Sequence, residues 1–198
     1  MSNHGIEGMI LVDIETTGLE PNLGVVLELG MVRCDTNFEI VDSFSSVVYG
    51  DNEHDFVTRV WREDDYAYGM HKKSGLLQAV HDIGHAVEEL SVGEVEWAAI
   101  SWLQKQGVNT SNHSEPMAGS SVHFDRKWLE YHMPRLAECF GYRNIDASSF
   151  MEYSKKFFPT YANKVDESIK RTNAHRPIPD LIDTLALFSG LRQAKLIG

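Results

Sequence analysis

The sequence has few cysteines, no long apolar run and little positive charge. Its 198 residues include 2 cysteines, Cys34 and Cys139, which are too few and too widely spaced for a disulfide framework or a thiolate metal site. We therefore expect a structural role for both thiols and a cytoplasmic location. No apolar run approaches the roughly 18 residues that a membrane span needs, and MSNHGIEG lacks the features of a secretory signal, so no membrane contact is expected.

Positive charge is scarce enough to disfavour one class of function. The chain has 18 Lys and Arg residues against 29 Asp and Glu residues, a formal net charge of -11. A protein that coats long nucleic acid normally presents a broad Lys and Arg surface, which this composition disfavours. A small anionic substrate held through metal ions stays compatible, because the ions supply the positive charge.

The apolar pattern predicts one mixed α/β domain, residues 9–198, after a flexible segment, residues 1–8. With 42% hydrophobic residues the chain can bury one substantial core. Strands are predicted in five places: 8–14, 24–34 and 38–48 as an antiparallel meander, then 117–119 and 144–146. Helices are predicted in four places, with a loop after the third: 86–106, 123–132, 147–157 and about 179–194. This order suggests a central mixed sheet flanked by helices.

The first catalytic candidates lie in VDIETTGL, residues 12–19. Residues two apart on a strand share a face, so Asp13 and Glu15 point the same way. Adjacent carboxylates repel each other unless a cation lies between them or one is protonated, and oxygen ligands suit Mg²⁺ or Mn²⁺ better than zinc. Alone, a D-x-E pair is also typical of a solvated strand end. The longer pattern D-x-E-T-x-G is rare by chance.

Two later stretches supply further candidates. In MAGSSVHFDRKWL, Asp125 falls in the first turn of a helix, where the helix dipole alone would also favour an acid. In AHRPIPDLIDTLALF, Pro177 and Pro179 disfavour helix before about residue 179. Asp180 then lies in the first turn of the last helix, with His175 on the loop before it. A histidine there is also compatible with an ordinary surface or partly buried residue.

These motifs, DIETTG, the Asp125 segment and H-x4-D, resemble those of the DEDDh exonucleases of the proofreading-exonuclease superfamily. Within that superfamily the chain most resembles the oligoribonucleases, on the basis of three longer sequence stretches: PRLAECFGYRNIDASS, TNAHRPIPD and YAYGMHKKSGL. The resemblance spans almost the whole chain from Met9. It implies an RNase H-like fold and the degradation of very short single-stranded RNA from its 3′ end to nucleoside 5′-monophosphates.

The resemblance also implies hydrolysis with two divalent ions, Mg²⁺ or Mn²⁺. In the family pattern Asp13 bridges both ions. Glu15 and Asp180 complete one site, and Asp125 supports the other, partly through water. His175 is the general base that takes a proton from the attacking water, a role that suits imidazole near neutral pH.

Contacts with the bases follow from the same resemblance. Leu19 corresponds to the family's wedge between the two terminal bases, while Tyr66 and His71 occupy positions that line the base site. Judged without the family, Leu19 is equally compatible with core packing.

A phosphate cap and a homodimer are implied in the same way. Ser121, Arg143 and Ser148 match positions that hold the 5′ phosphate, and Tyr142 matches a residue contributed by the second subunit. Arginine can bind a terminal phosphate with two parallel hydrogen bonds, and a closed cap of this kind would select short substrates.

Some positions depart from the oligoribonuclease pattern. Pro179 stands where these enzymes commonly have a second Asp, Ser120 replaces an Asn, and Tyr66 replaces a Trp. The first motif reads DIETTG instead of DLEMTG, a spelling shared with the wider DEDDh group. None of these changes removes a metal ligand, so they bear on the substrate more than on the reaction.

Three alternatives stay open. A DEDDh exonuclease acting on longer single-stranded DNA or RNA would need an open basic channel with stacking aromatics, which the acidic composition disfavours. A catalytically silent nucleotide-binding protein is expected to have lost a motif residue, and all five are present. His81 and His85 have the spacing of a zinc pair on a helix, but they lack the glutamate of H-E-x-x-H, and we favour a solvated helix end or loop.

Overall fold

The computed structural model describes residues 6–49, 66–86 and 91–197, so most of the predicted N-terminal segment lies outside the described residues. At its centre is a five-stranded sheet in the order β3-β2-β1-β4-β5. The strands are β1 (Met9–Thr16), β2 (Val26–Cys34), β3 (Ile40–Val47), β4 (Met117–Gly119) and β5 (Asn144–Asp146). The first three pair antiparallel, whereas β4 pairs parallel with β1 and β5 parallel with β4. The predicted meander and the mixed sheet are confirmed.

Helices in the described part of the chain flank this sheet. They are α1 (Tyr66–Ser74), α2 (Leu76–Ala86), α3 (Val92–Lys105), α4 (His123–His132), α5 (Pro134–Glu138), α6 (Ala147–Phe157), α7 (Pro159–Ser168) and α8 (Pro177–Gln193). A short 3₁₀ helix, Pro21–Leu23, lies between β1 and β2. Within the described ranges, no helix combines the length and the apolar character needed to cross a membrane.

The predicted helix over 86–106 starts too early. In the structure α3 begins at Val92, because Ser91 is extended and caps the helix: its hydroxyl accepts a hydrogen bond from the Glu94 amide, and the Glu94 carboxylate accepts one from the Ser91 amide. This reciprocal capping fixes a helix start. Residues 87–90 of the predicted helix lie outside the described residues.

Proline accounts for two further differences, whereas the helices α1, α2 and α5 had no predicted counterpart. The last helix begins at Pro177 and not near residue 179, since the first turn of a helix tolerates proline, whose missing N–H would have no partner there. The stretch predicted as a loop after residue 157 contains α7, in which Pro159 occupies the first turn while Ala162 and Val165 are buried.

The alternation of side chains along β1 determines where the candidate site lies. Its even-numbered residues from 10 to 14 pack in one core layer, with side chains of α3 and α4. Met9 and Leu11 pack in the other, with side chains of α6, α7 and α8. Asp13 and Glu15 continue this second face, so they point toward the side of the sheet that α8 covers.

Both cysteines are buried free thiols. Burial raises the pKa of Cys139 to about 11 and also raises the pKa of Cys34. Thiols that ionise this poorly are unreactive, which agrees with the structural role expected for them.

Candidate active site

Three carboxylates meet where β1 approaches the start of α8. One carboxylate oxygen each of Asp13, Glu15 and Asp180 lies within 4.8 Å of the other two. Strand alternation aims the first two, while Asp180 is fixed in the first turn of α8, where its amide donates to the carbonyl of Arg176. The structure therefore joins the DIETTG motif to the motif near the C-terminal end of the chain.

The acids of this cluster hold their protons more tightly than ordinary carboxyl groups. Burial, followed by repulsion from Asp125 and Glu15, raises the pKa of Asp13 well above its usual range. Burial, followed by repulsion from Asp180, raises the pKa of Glu15 to about 8, and burial raises the pKa of Asp180 as well. A divalent cation would relieve this repulsion, and the oxygen-only ligand set fits a hard cation.

Asp125 lies beside the three carboxylates and not among them. It is buried in the first turn of α4, as predicted, and its Oδ1 accepts a hydrogen bond from the Ile14 amide at 3.1 Å. Burial raises its pKa to about 7. Asp125 is also the charged neighbour that most raises the pKa of Asp13, so the fourth acid of the motif set is close to the first.

His175 shares a cavity with Asp13 and Asp180 of this cluster. The cavity measures about 250 Å³, and its lining includes Asp13, Asn173, His175, Asp180 and Asp183. His175 lies on the loop before α8, as predicted. The electrostatic attraction of His175 acts to lower the pKa of Asp180, against the larger effect of burial. The cavity thus combines a potential proton acceptor with a cluster of carboxylates.

An apolar pocket of about 340 Å³ adjoins Glu15 and brings together the residues expected at the base site, Leu19, Tyr66 and His71. The side chains of Leu19 and Tyr66 are 77% and 82% exposed. Core packing, the other interpretation of Leu19, is therefore wrong. Two exposed apolar side chains beside a cavity are suited to a flat apolar ligand.

His71 is completely buried and braces the end of β1. Its Nε2 lies 3.0 Å from the carbonyl oxygen of Thr16, and its Nδ1 lies 3.7 Å from Oε2 of Glu15. Because a carbonyl only accepts, Nε2 carries the proton and donates it. Burial lowers the pKa of His71, which favours the neutral imidazole. This histidine therefore lines the pocket, and its ring is held by the end of β1.

Ser121 and Ser148, expected at the phosphate cap, are held together by Asp146. Its Oδ1 accepts hydrogen bonds from the Ser121 amide at 2.9 Å, the Ser148 amide at 3.0 Å and the Ser148 hydroxyl at 2.7 Å. The two hydroxyl oxygens are 3.3 Å apart. The sequence analysis missed Asp146, although an Asp two residues before a Ser at a helix start is typical of an N-cap.

Arg143 and Tyr142 precede β5, while Ser148 follows it. The Arg143 guanidinium lies over the Tyr142 ring, 4.7 Å from the centroid. Tyr142 is 80% exposed. The structure thus pairs Ser121 with Ser148 at one end of β5 and Arg143 with Tyr142 at the other.

The sequence analysis also missed a partly buried ion pair beside the cluster. Glu28 on β2 lies directly opposite Glu15 in the sheet. Arg176 Nε and Nη2 donate to its two carboxylate oxygens at 2.5 Å and 2.9 Å. An acid inside the apolar stretch VVLELGM was the available signal, since buried carboxylates are normally paired.

The described residues do not test the alternative zinc site. His81 is exposed, and its Nδ1 lies 3.6 Å from the Asp82 carboxylate. The side chain of His85 lies outside the described part of the chain.

Comparison with known proteins identifies the family. The model of the exonuclease family RNase T matches residues 10–188. The chain belongs to the RNase T exonuclease family. Similar proteins include the oligoribonuclease of Neisseria meningitidis serogroup B, 27% identical over 187 residues, which cover 94% of this chain and 91% of that protein. The oligoribonuclease of Corynebacterium diphtheriae is 28% identical over 191 residues, 96% of this chain and 84% of that protein.

Solved structures confirm the fold of this exonuclease. Exonuclease I superimposes with a TM-score of 0.63 at 15% identity, covering 95% of this chain. A zinc-bound complex of E. coli exonuclease I with single-stranded DNA superimposes with a TM-score of 0.64 at 14% identity, covering 96%. The chain spans 41% and 42% of the length of those two proteins. The likeness establishes the RNase H-like fold.

Proposed function

We propose that this exonuclease is a metal-dependent 3′-to-5′ exoribonuclease that degrades very short single-stranded RNA, from diribonucleotides upward, to nucleoside 5′-monophosphates. The observation that carries the proposal is the convergence of Asp13, Glu15 and Asp180 beside a cavity that Asp13, Asp180 and His175 line. The choice of short RNA rests on relatives named oligoribonucleases, which match the chain over nearly its whole length.

Mg²⁺ or Mn²⁺ ions are the cofactors in this proposal. Carboxylate oxygens are the ligands that these ions prefer. Asp13, Glu15 and Asp180 would hold one ion, and Asp13 with Asp125 would hold a second. The raised pKa values of these acids mean that metal binding would release protons. Two bound ions would stabilise the charge on the attacking and leaving oxygens of the phosphodiester.

His175 is the general base in this proposal. Its imidazole takes a proton from the water that attacks the terminal phosphodiester. Asp180 lines the same cavity. His175 lines the cavity from the loop before α8, whereas Asp180 lies on the helix itself.

The bases would bind in the apolar pocket, where Leu19 packs between the two terminal bases and Tyr66 and His71 line the site. A leucine as exposed as Leu19 would lose its contact with water only when a base covers it, and burying that area favours binding.

The opposite end of a short substrate would meet a phosphate cap. Ser121 and Ser148 would hold the 5′ phosphate from one end of β5, and the long side chain of Arg143 would reach it from the other. Tyr142 would come from the second subunit of a homodimer. A cap closed in this way would reject longer strands. We further propose that residues 9–198 act as one domain and that the enzyme works in the cytoplasm.

A direct test follows an RNA heptamer labelled at its 5′ end during incubation with Mn²⁺. The label should pass through successively shorter products, the released nucleotides should be 5′-monophosphates, and EDTA should stop the reaction. Asp13→Asn and His175→Ala should be inactive. Their matched controls are Asp82→Asn and His81→Ala, which change exposed side chains on α2. Cleavage inside the strand, or full activity in EDTA, would contradict the proposal.

A further inference from the structure

The backbone around His175 adopts a conformation that needs support from its surroundings. Asn173 and His175 have φ angles of 47° and 50°, in the left-handed region that residues other than glycine rarely occupy. Such conformations persist where neighbouring contacts determine them, and they cluster at functional sites. The position of the imidazole therefore depends on what holds the loop.

Arg176, the next residue, ties the loop to the sheet. Its guanidinium makes two parallel hydrogen bonds to Glu28, Nε to Oε2 at 2.5 Å and Nη2 to Oε1 at 2.9 Å. The Glu28 side chain is only 4% exposed and that of Arg176 is 30% exposed. Ser45 on β3 also donates its hydroxyl to Oε1 at 3.0 Å. A bidentate pair fixes orientation as well as distance, which a single contact does not.

Pro177, the residue after Arg176, packs against the same strand. Gly30 shares a face of β2 with Glu28, and a Cβ built on Gly30 would lie 2.3 Å from the Cβ of Pro177. Strand β2 therefore contacts Pro177 at Gly30, and this position has no room for a side chain. In the sheet register Glu28 lies opposite Glu15 and Gly30 opposite Asp13, so this contact is made directly beside the candidate metal ligands.

The start of the loop has a separate anchor on α8. The Asp183 carboxylate accepts hydrogen bonds from the Thr172 amide at 2.7 Å and the Thr172 hydroxyl at 3.0 Å. His175 thus lies between one attachment to α8 and another to β2. The attachment to β2 is adjacent to His175 in the chain, as are the backbone amides of Ala174 and Arg176, which donate to the Asp180 carboxylate on α8.

We propose that Glu28 and Arg176 are a positioning pair, which holds the imidazole of His175 at the carboxylate cavity without touching the substrate. The inference rests on the proposed function, because it concerns the role of His175 as general base. The alternative is that Arg176 acts only through its positive charge, which attracts the nearby acids. Lysine keeps the positive charge but cannot make two parallel hydrogen bonds, so Arg176→Lys separates positioning from charge.

The test compares Arg176→Lys, Glu28→Gln and the double variant in turnover of an RNA dinucleotide with Mn²⁺. Each single change should lower kcat by roughly 10- to 100-fold, the scale of a small misplacement, while KM stays within about twofold. The double variant should be no slower than either single variant, because both changes break one interaction. The matched control is Arg192→Lys at the far end of α8, where Arg192 binds the Thr36 carbonyl; it should keep the wild-type kcat.

Hydrogen exchange in the metal-free variants gives a readout that does not depend on activity. Amides of residues 172–176 should exchange faster in both single variants, whereas those of β1 and β2 should not. Thermal unfolding in the same buffer verifies that each variant is folded. Wild-type kcat with unchanged exchange in Arg176→Lys would overturn the inference. A raised KM at constant kcat would also overturn it, because Arg176 would then be a substrate contact.

His175→Ala, measured in the same series, separates this inference from the proposed function. If His175→Ala is inactive while Arg176→Lys is fully active, only the positioning role is wrong. If His175→Ala keeps the wild-type kcat, the general base is misassigned and both statements are wrong.

Discussion

Removal of divalent cations should make the free energy of unfolding fall as the pH rises. Burial, followed by repulsion from Asp180, raises the pKa of Glu15 from 4.5 to about 8 in the folded protein. Between these values the folded state binds a proton that the unfolded state has lost, so raising the pH favours unfolding. The contribution of Glu15 is fully present below pH 4.5 and is lost as the pH rises through about 8.

The magnitude follows from the two pKa values. A difference of one pKa unit corresponds to about 1.4 kcal/mol, so the complete loss for Glu15 is about 5 kcal/mol, of which about 3 kcal/mol falls between pH 5.5 and pH 9. Glu15 is only 7% exposed, so water screens its charge poorly. Domains are typically stable by about 5–15 kcal/mol. Bound cations should therefore restore a large part of the stability at high pH.

Urea unfolding of the EDTA-treated protein from pH 5.5 to pH 9 measures this effect. The free energy of unfolding of Glu15→Gln minus that of the wild type should increase by about 3 kcal/mol from pH 5.5 to pH 9, because glutamine has no proton to lose. Glu167→Gln, an exposed substitution on α7, should follow the wild type. Parallel curves for the wild type and Glu15→Gln would refute the assigned environment of Glu15.

Three further predictions test the other parts of the site and the scaffold. Asp125→Asn should lower kcat about 100-fold or more, the effect of losing one preorganised charge, with an unchanged circular dichroism spectrum because the amide oxygen can still accept from Ile14. Leu19→Ala should raise KM for an RNA dinucleotide roughly 10-fold, the scale of one stacked base. Glu96→Ala removes the acceptor of two amides at the start of α5 and should lower the free energy of unfolding by about 1–3 kcal/mol at constant kcat.

Each of these has a contrary result. Full turnover by Asp125→Asn would show that the metal site is misassigned. An unchanged KM in Leu19→Ala would remove this residue from the base site. A loss of kcat in Glu96→Ala would show that a change in the packing of α5 alters the active site. The position of α5 in the fold does not predict such an effect.

The antiparallel meander could be predicted because its strands are short runs rich in apolar residues, separated by turn-rich segments. The predicted strands at 8–14, 24–34 and 38–48 correspond to β1, β2 and β3 with ends that differ by two residues or fewer. Helix ends were less predictable where proline occurs. Pro159 and Pro177 both start helices, and local sequence does not distinguish a proline that starts a helix from one that prevents it.

The carboxylates of the site could be predicted because strand geometry and motif spacing involve few residues. Asp13 and Glu15 follow from alternation along β1, and Asp180 follows from the position of the last helix. Local signals mark Glu28 as a buried acid and Asp146 as an N-cap, but they do not identify the residues that these two acids bind. Glu28 meets its partner Arg176 only when β2 and the start of α8 come together in space, and no local pattern encodes that contact.

The most direct test of the proposed function is a competition time course with Mn²⁺. Ribo- and deoxyribo-oligomers of two, seven and twenty nucleotides, all labelled at the 5′ end, are mixed in one tube and their products are resolved over time. The account predicts rapid loss of the RNA dinucleotide while both twenty-mers stay nearly intact. Processive shortening of the twenty-mers, or faster loss of DNA than of RNA, would contradict it and assign the enzyme to exonucleases of longer strands.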